Sequence, residues 1–331
     1  MMAKEKWIAA VDLGGTSIKL AFLNMDGEIL DHWAIPTDRS SKGRNIVPDI
    51  AKSIFETLQA KQETKDRLLG IGLGAPGPID YSTGRIYKTV NLGWEDDYPL
   101  TQELEKETGL PVVIENDANC AALGEMWKGT GNGAANLVCV TLGTGVGGGV
   151  IANGDIVRGA KGAAGEIGHM VVEIEDGFSC NCGKKGCLET VASATGIVRL
   201  AKMELERAEN ASVLKEKFNA HQDISAKDVF EAVDSGDELA KHIVDRVAFY
   251  LGFTFANLGN SLNPDYIVVG GGVSNAGNTL LDPIRKYFKQ YAFLPVSEST
   301  KIELASLGNN AGVIGAGWLV KKEFSHEQKS L

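Results

Sequence analysis

Three observations predict an α/β protein made of two related halves that face each other across a cleft. At 331 residues the chain exceeds what one hydrophobic core usually supports, so two domains are expected. The segment Val11-Asp12-Leu13-Gly14-Gly15-Thr16 recurs as Val140-Thr141-Leu142-Gly143-Thr144-Gly145, each time at a strand–turn–strand hairpin. Both hairpins then run on into strand–helix units. The competing explanation is that glycine hairpins resemble one another by chance.

Residues 7–13 and 17–23 read as strands joined by Gly14-Gly15-Thr16, and a third strand at about 28–36 follows the hairpin signal Asp26-Gly27. Residues 45–62 carry Ile46, Ile50, Ile54 and Leu58 at helical spacing. Next come a strand at 68–74, the loop GAPGPID, a hairpin-like DYSTGRIY and a polar stretch with NLGW at 91–94. A helix at about 99–108 and a strand from Pro111 to Glu115 complete the first half. The second half opens with a helix, 118–128, and strands at 137–142 and 147–152 around the second glycine turn. Beyond a cysteine knuckle, helices are expected near 195–208, 225–235 and 238–261, then a strand at 266–270. The loop GGGVSN, a helix at 277–290, a strand at 301–306 and a helix at 311–322 follow.

The 40 glycines are about 12% of the chain against a usual share of roughly 7%, and they cluster in turns with no collagen-like period. They read as loops that bring backbone close to a ligand. A net charge of −10, with no Lys/Arg run longer than two, argues against a nucleic-acid surface. No run approaches the roughly 20 apolar residues of a membrane span, and the N-terminal apolar stretch is too short for a signal peptide. A cytoplasmic protein is expected, with Cys120 and Cys139 as buried thiols.

The stretch from Gly165 to Glu189 concentrates chemistry. It holds Cys180-x-Cys182-x4-Cys187 with His169 upstream and Glu166 and Glu189 near its ends. Three thiols and an imidazole make a full tetrahedral set for a structural Zn²⁺. Gly183 and Gly186 allow the positive φ angles that wrap backbone round a metal. A disulfide or plain free thiols are the competing readings, the first disfavoured because a Cys-x-Cys bridge is strained. A pinned knuckle would fix Glu166 and Glu189 as acceptors for a polyhydroxylated ligand.

Two segments suit phosphates. DLGGTSIK places Asp12 at a strand end, where it could hold Mg²⁺ through water, followed by a turn whose N–H groups can cradle phosphate oxygens. TLGTGVGGG offers a second cradle, and two cradles on opposite walls fit a nucleoside triphosphate. Either alone could be an ordinary hairpin. No G-x-x-x-x-G-K-[ST] occurs, which excludes a P-loop. Gly72-x-Gly74-x-x-Gly77 matches a dinucleotide fingerprint, but Pro76 and Pro78 stand where its helix should begin. The loop instead suits a substrate pocket. VVGGGVSN lets backbone at Gly271 and Gly272 approach an adenine and ribose, or is simply a tight strand–helix turn. Glu115-Asn116-Asp117 ends a strand, where Asn116 or Asp117 could merely cap the next helix. Alternatively Asp117 faces the cleft as a general base.

With these motifs in place, the chain resembles the ROK (repressor, open reading frame, kinase) sugar kinases along essentially its whole length, and among them those acting on glucose. The most specific match is Glu166-x-x-His169 with Cys180-x-Cys182-Gly183-x-x-Gly186-Cys187-x-Glu189. The resemblance implies an actin-like ATPase (ribonuclease H-like) fold and ATP-dependent phosphorylation of a sugar 6-hydroxyl, glucose first. It implies Asp117 as the base, with Asn116, Asp117, Glu166, His169 and Glu189 binding the sugar beside Gly77 and Asn91. Asp12, Gly14, Gly15, Thr16 and Lys19, with Thr144, Gly145, Gly271 and Gly272, would bind ATP and its Mg²⁺. His169, Cys180, Cys182 and Cys187 would hold zinc. Residues 1–117 plus a returning helix at 311–331 would form the smaller domain and 118–310 the larger one, in a homodimer or larger homo-oligomer. The partners implied are a small sugar and a nucleotide, without nucleic acid or membrane. With the first strand starting by Trp7, the DNA-binding module of ROK repressors is not expected. Another sugar (N-acetylmannosamine, fructose, allose), polyphosphate as donor, or a non-catalytic sugar sensor are the alternatives.

Overall fold

A computed structural model describes residues 5–88, 92–208 and 211–325. The first five-stranded sheet contains β1 (Trp7–Leu13), β2 (Ser17–Leu23), β3 (Ile29–Pro36) and β4 (Leu68–Ala75). A small hairpin, β5 (Ile79–Asp80) with β6 (Arg85–Ile86), precedes its last strand, β7 (Val112–Asn116). The second sheet contains β8 (Leu137–Leu142), β9 (Val146–Ala152), β10 (Asp155–Ile156), β11 (Tyr266–Gly270) and β12 (Lys301–Leu304).

The strand orders are β3-β2-β1-β4-β7 and β10-β9-β8-β11-β12. In both sheets the first three neighbours run antiparallel and the last two additions run parallel. One order with one pattern of directions, twice, goes far beyond a shared glycine turn and favours duplication over chance.

Side-chain alternation explains why WIAAVDL is almost continuously apolar. Ala9, Val11 and Leu13 face a core shared with α1 (Ile46–Ala60) and α2 (Leu100–Thr108). Ile8 and Ala10 face the opposite way, into a core between the two sheets. A strand buried on both faces needs apolar residues at every position. The edge strand β3, ILDHWAIP, instead alternates half-buried and exposed residues.

The core between the sheets is filled by α3 (Asp117–Trp127) and α11 (Ala311–Ser325). These helices touch backbone to backbone. A Cβ on Gly315 would lie 1.7 Å from Cys120 O, and one on Gly124 would lie 2.2 Å from Ala311 O. Only glycine permits that approach. Trp127 and Trp318 close the same interface with ring centroids 5.2 Å apart. The last helix also lies against β4 of the first sheet, where a Cβ on Gly72 would meet Ala316 O at 1.8 Å.

The outer face of the second sheet is covered by α4 (Glu189–Ala192), α5 (Ala194–Arg207), α6 (Val213–His221), α7 (Ala226–Asp234), α8 (Glu238–Leu262) and α9 (Asn278–Tyr291). A short α10 (Leu294–Ser299) follows α9. Sequence periodicity does not announce α6 or α10. In α6 only Leu214 is buried, and α10 has six residues, so neither carries an apolar stripe. The last strand stops at Leu304 rather than residue 306. Among the described residues no helix is long and apolar enough to cross a membrane.

Candidate active site

The duplicated hairpins aim matching positions at one cavity. Asp12 pairs with Lys19 across β1 and β2, and Thr141 pairs with Gly147 across β8 and β9. All four line a cavity of about 530 Å³, together with Asp117, Gly270, Gly271, Gly272, Ser274, Asn275, Asn309 and Gly312. Lys19 Nζ lies 3.3 Å from Asp12 Oδ2 and 3.4 Å from Asn309 O. Asp12 and Lys19, both expected at a nucleotide, thus first satisfy each other. A Cβ at Gly312 would sit 2.7 Å from the Asp12 carboxyl carbon, so any larger residue there would displace that carboxyl.

The turns themselves are partly spent on their own support. Gly14 N–H donates to Ser17 O at 3.1 Å, while Thr37 donates from Oγ1 to Gly14 O and from N to Thr16 O. Among the described residues the N–H groups of Gly15 and Thr16 carry no such backbone bond. In the second turn Gly143 N donates to Gly145 O, Ala194 N to Gly143 O and Thr195 Oγ1 to Thr144 O. Val146 N donates to Glu189 Oε2 at 3.0 Å. Gly145 and Glu189 line a second recess of about 320 Å³ that shares Thr141, Gly147 and Gly271 with the main cavity. Gly14, Gly15, Thr16 and Thr144 do not line the main cavity.

At the end of β7 the two candidate caps divide their work. Asn116 is the cap: its Oδ1 accepts from Ala118 N at 2.9 Å and Asn119 N at 3.3 Å. Its Nδ2 donates to Gly77 O at 3.2 Å, tying the GAPG loop to the helix start. Asp117 Oδ1 shares the Ala118 N–H at 2.8 Å, and its carboxyl lines the cavity. Burial pushes its carboxyl up from the ordinary 3.8 to about 6, against the Ala118 N–H, which favours the anion. The nearby charge of Asp12 raises it further, and Glu166 adds to the effect. A carboxyl poised near neutrality suits proton abstraction.

The knuckle assembles as the spacing predicts. His169, Cys180, Cys182 and Cys187 bring one ligand atom each to within 4.8 Å of one another. His169 Nδ1 is 3.6 Å from Cys180 Sγ, and Cys182 Sγ is 3.7 Å from Cys187 Sγ. A tetrahedron with bonds of about 2.3 Å to sulfur and 2.0–2.1 Å to nitrogen has edges of roughly 3.6–3.8 Å. The donor set therefore fits a tetrahedral metal, and all five cysteines are free thiols. Gly183 and Gly186 take φ of +86° and +75°. The other ring nitrogen, His169 Nε2, points to Glu166 Oε2 at 3.8 Å, and Glu189 Oε1 lies 3.9 Å from Cys180 Sγ. Glu189 thus links the knuckle to the second turn. Asn91 lies outside the described residues.

Sequence reading missed Glu115 as a site residue. It is completely buried and accepts from Tyr81 Oη at 2.5 Å, Asn119 Nδ2 at 2.9 Å and Arg158 Nε at 2.9 Å. Burial and the Glu115 charge hold the Tyr81 phenol protonated far beyond its ordinary range. A carboxylate directly after the apolar run Val112-Val113-Ile114 was the available signal. Nothing in the sequence marked Arg158.

The model of the ROK family matches residues 8–323. A glucokinase of Halalkalibacterium halodurans is 53% identical over 325 residues, covering 98% of each chain. A ROK family glucokinase from Streptomyces griseus, solved with glucose and AMPPNP, is 34% identical with a TM-score of 0.75, covering 96% of this chain and 99% of that one. A ROK hexokinase from Thermus thermophilus is 30% identical with a TM-score of 0.79, covering 97% and 99%. Agreement along the whole length, in residues and in backbone, makes the chain a member of the ROK family.

Proposed function

We propose that the protein is a glucokinase that transfers the γ-phosphoryl group of MgATP to the 6-hydroxyl of glucose. The observation that carries this reading is Asp117, a carboxyl shifted to about 6 at the edge of a cavity walled by both hairpins. The 53% identity to a glucokinase favours glucose as acceptor.

In this reading the triphosphate lies between the two turns, with adenosine against Gly271 and Gly272. Asp12 would hold the Mg²⁺ that accompanies ATP, and Lys19, now paired with Asp12, would be freed toward the phosphates. Glucose O6 attacks the γ-phosphorus, the bond to the β–γ bridging oxygen breaks, and ADP leaves with that electron pair. Asp117 takes the hydroxyl proton and later releases it to water. Phosphoryl transfer depends on positioning and charge neutralisation more than on covalent help, which suits a site of backbone donors and one base.

Asn116, Glu166, His169, Glu189 and the Gly77 backbone would hold the remaining hydroxyls. The Asn116 amide keeps one hydrogen beyond its bond to Gly77, and Glu189 keeps Oε1 beyond its bond to Val146. His169, Cys180, Cys182 and Cys187 would hold a structural Zn²⁺, which when bound supplies a rigid cross-link behind Glu189 and His169. Residues 1–117 with 311–331 would close on 118–310 around the sugar and exclude water that would otherwise hydrolyse ATP.

The test is ADP release from MgATP across a panel of hexoses and N-acetylhexosamines, with polyphosphate as an alternative donor and Asp117→Ala alongside. Turnover on glucose that collapses in the variant, with glucose still bound, is expected. Preference for N-acetylmannosamine would overturn the substrate. Glucose binding with no turnover on any sugar would make the protein a sensor.

A further inference from the structure

Glu115 is a carboxylate that the reaction above does not use, yet it joins three segments that each carry a sugar-site candidate. Tyr81, which donates to it, lies four residues after Gly77. Glu115 itself immediately precedes Asn116 and Asp117. Arg158, its ion-pair partner at 2.9 Å, stands on the segment that leads from β10 to Glu166. The Arg158 guanidinium also sits over the Tyr81 ring at 4.7 Å. Glu115 therefore belongs to the first sheet and Arg158 to the chain that leaves the second, so their contact spans the two halves on the sugar side.

The charge at Glu115 is not needed to satisfy its neighbours. A neutral amide oxygen could accept from Tyr81 and Asn119 equally well. Burying a carboxylate is costly, and a buried ion pair is at best weak evidence of stabilisation, its best-attested use being to fix register. We propose that the Glu115–Arg158 pair is a positioning latch for the sugar pocket. It holds the segment carrying Glu166 against the strand end carrying Asn116 and Asp117, so that acceptors from both halves meet the same glucose molecule. The nucleotide cavity does not include either partner, so the latch acts on sugar and not on MgATP. This inference rests on the sugar-kinase reading.

The test compares Arg158→Met, Arg158→Lys and Glu115→Gln with wild type for kcat, glucose KM, MgATP KM and melting temperature. Arg158→Met should raise glucose KM about tenfold or more while MgATP KM stays within about twofold, and Arg158→Lys should recover much of the loss. A purely structural pair would move both KM values together with the melting temperature, or move neither, and either result overturns the latch. Should Arg158→Met fail to fold, Glu115→Gln carries the same test, because it keeps the side-chain volume and the three hydrogen bonds accepted by Oε1, from Tyr81, Asn116 N and Asn119. Its glucose KM should rise about threefold or more with MgATP KM unmoved. Wild-type protein inactive on glucose would remove the latch and the sugar-kinase reading together. Active wild type with all three variants at the wild-type glucose KM would remove the latch alone.

Discussion

At matching positions in the two sheets β1 presents Asp12 and β8 presents Thr141, while their cross-strand neighbours are Lys19 and Gly147. The first wall of the cavity is charged and the second is neutral and bare. Their supports differ as well: Thr37 ties the first turn, whereas Glu189 and the start of α5 hold the second from behind. One of the two matching units carries a carboxylate at this position, the group proposed above to hold a divalent cation. At the matching positions the other offers a hydroxyl and bare backbone, so no carboxylate stands opposite Asp12 in the duplicated register. The charged wall also adds to what burial does at Asp117, since Asp12 places a negative charge near it.

The contrast breaks most readily at Asp12. Asp12→Asn should lower kcat/KM for MgATP by about 100-fold or more, because Asp12 is the carboxylate proposed to hold the cation. A loss under about threefold would mean that the walls are not differentiated by charge. Thr141→Asp sharpens the same point from the opposite side. It should raise MgATP KM about tenfold through repulsion of the triphosphate, and an unchanged KM would make the two walls interchangeable.

Stripping the zinc proposed at the knuckle should loosen Glu189, which supports the second wall, and Glu166, which lies beside His169. Glucose KM should rise about fivefold and the melting temperature fall in parallel. A metal-free protein that keeps both would remove the knuckle from the account.

The smallest effect concerns stability. A carboxyl raised to about 6 in the folded protein, from an ordinary 3.8, favours the folded state only while protonated. That contribution is complete below about pH 4 and lost as pH rises through 6, so ionised Asp117 costs on the order of 3 kcal/mol at neutral pH. Asp117→Asn should therefore raise the melting temperature by a few degrees at pH 7.5 and by nothing near pH 4. An equal shift at both pH values would assign the gain to packing instead.

Most of this architecture was legible because it is written in local patterns. The repeated glycine turn announced the duplication, the apolar run at 7–13 marked a strand, and the cysteine spacing announced the knuckle. What stayed hidden depends on partners distant in sequence. Asn116 caps α3 with its Oδ1 toward Ala118 and Asn119 while Gly77 O, distant in sequence, takes its amide. The Asp12–Lys19 pair sits seven residues apart and becomes a contact only through hairpin register. Arg158 has no local signal at all, and it acquires a role only from the buried carboxylate 43 residues earlier.

The most direct test of the account is the pH dependence of kcat/KM for glucose, at saturating Mg²⁺ and ATP. If Asp117 accepts the proton from O6, only its ionised form is active. The profile should then fall about tenfold per pH unit below an apparent pKa near 6, while glucose binding stays level. A profile flat down to pH 5 would contradict the assignment, because a base shifted by burial cannot remain ionised there.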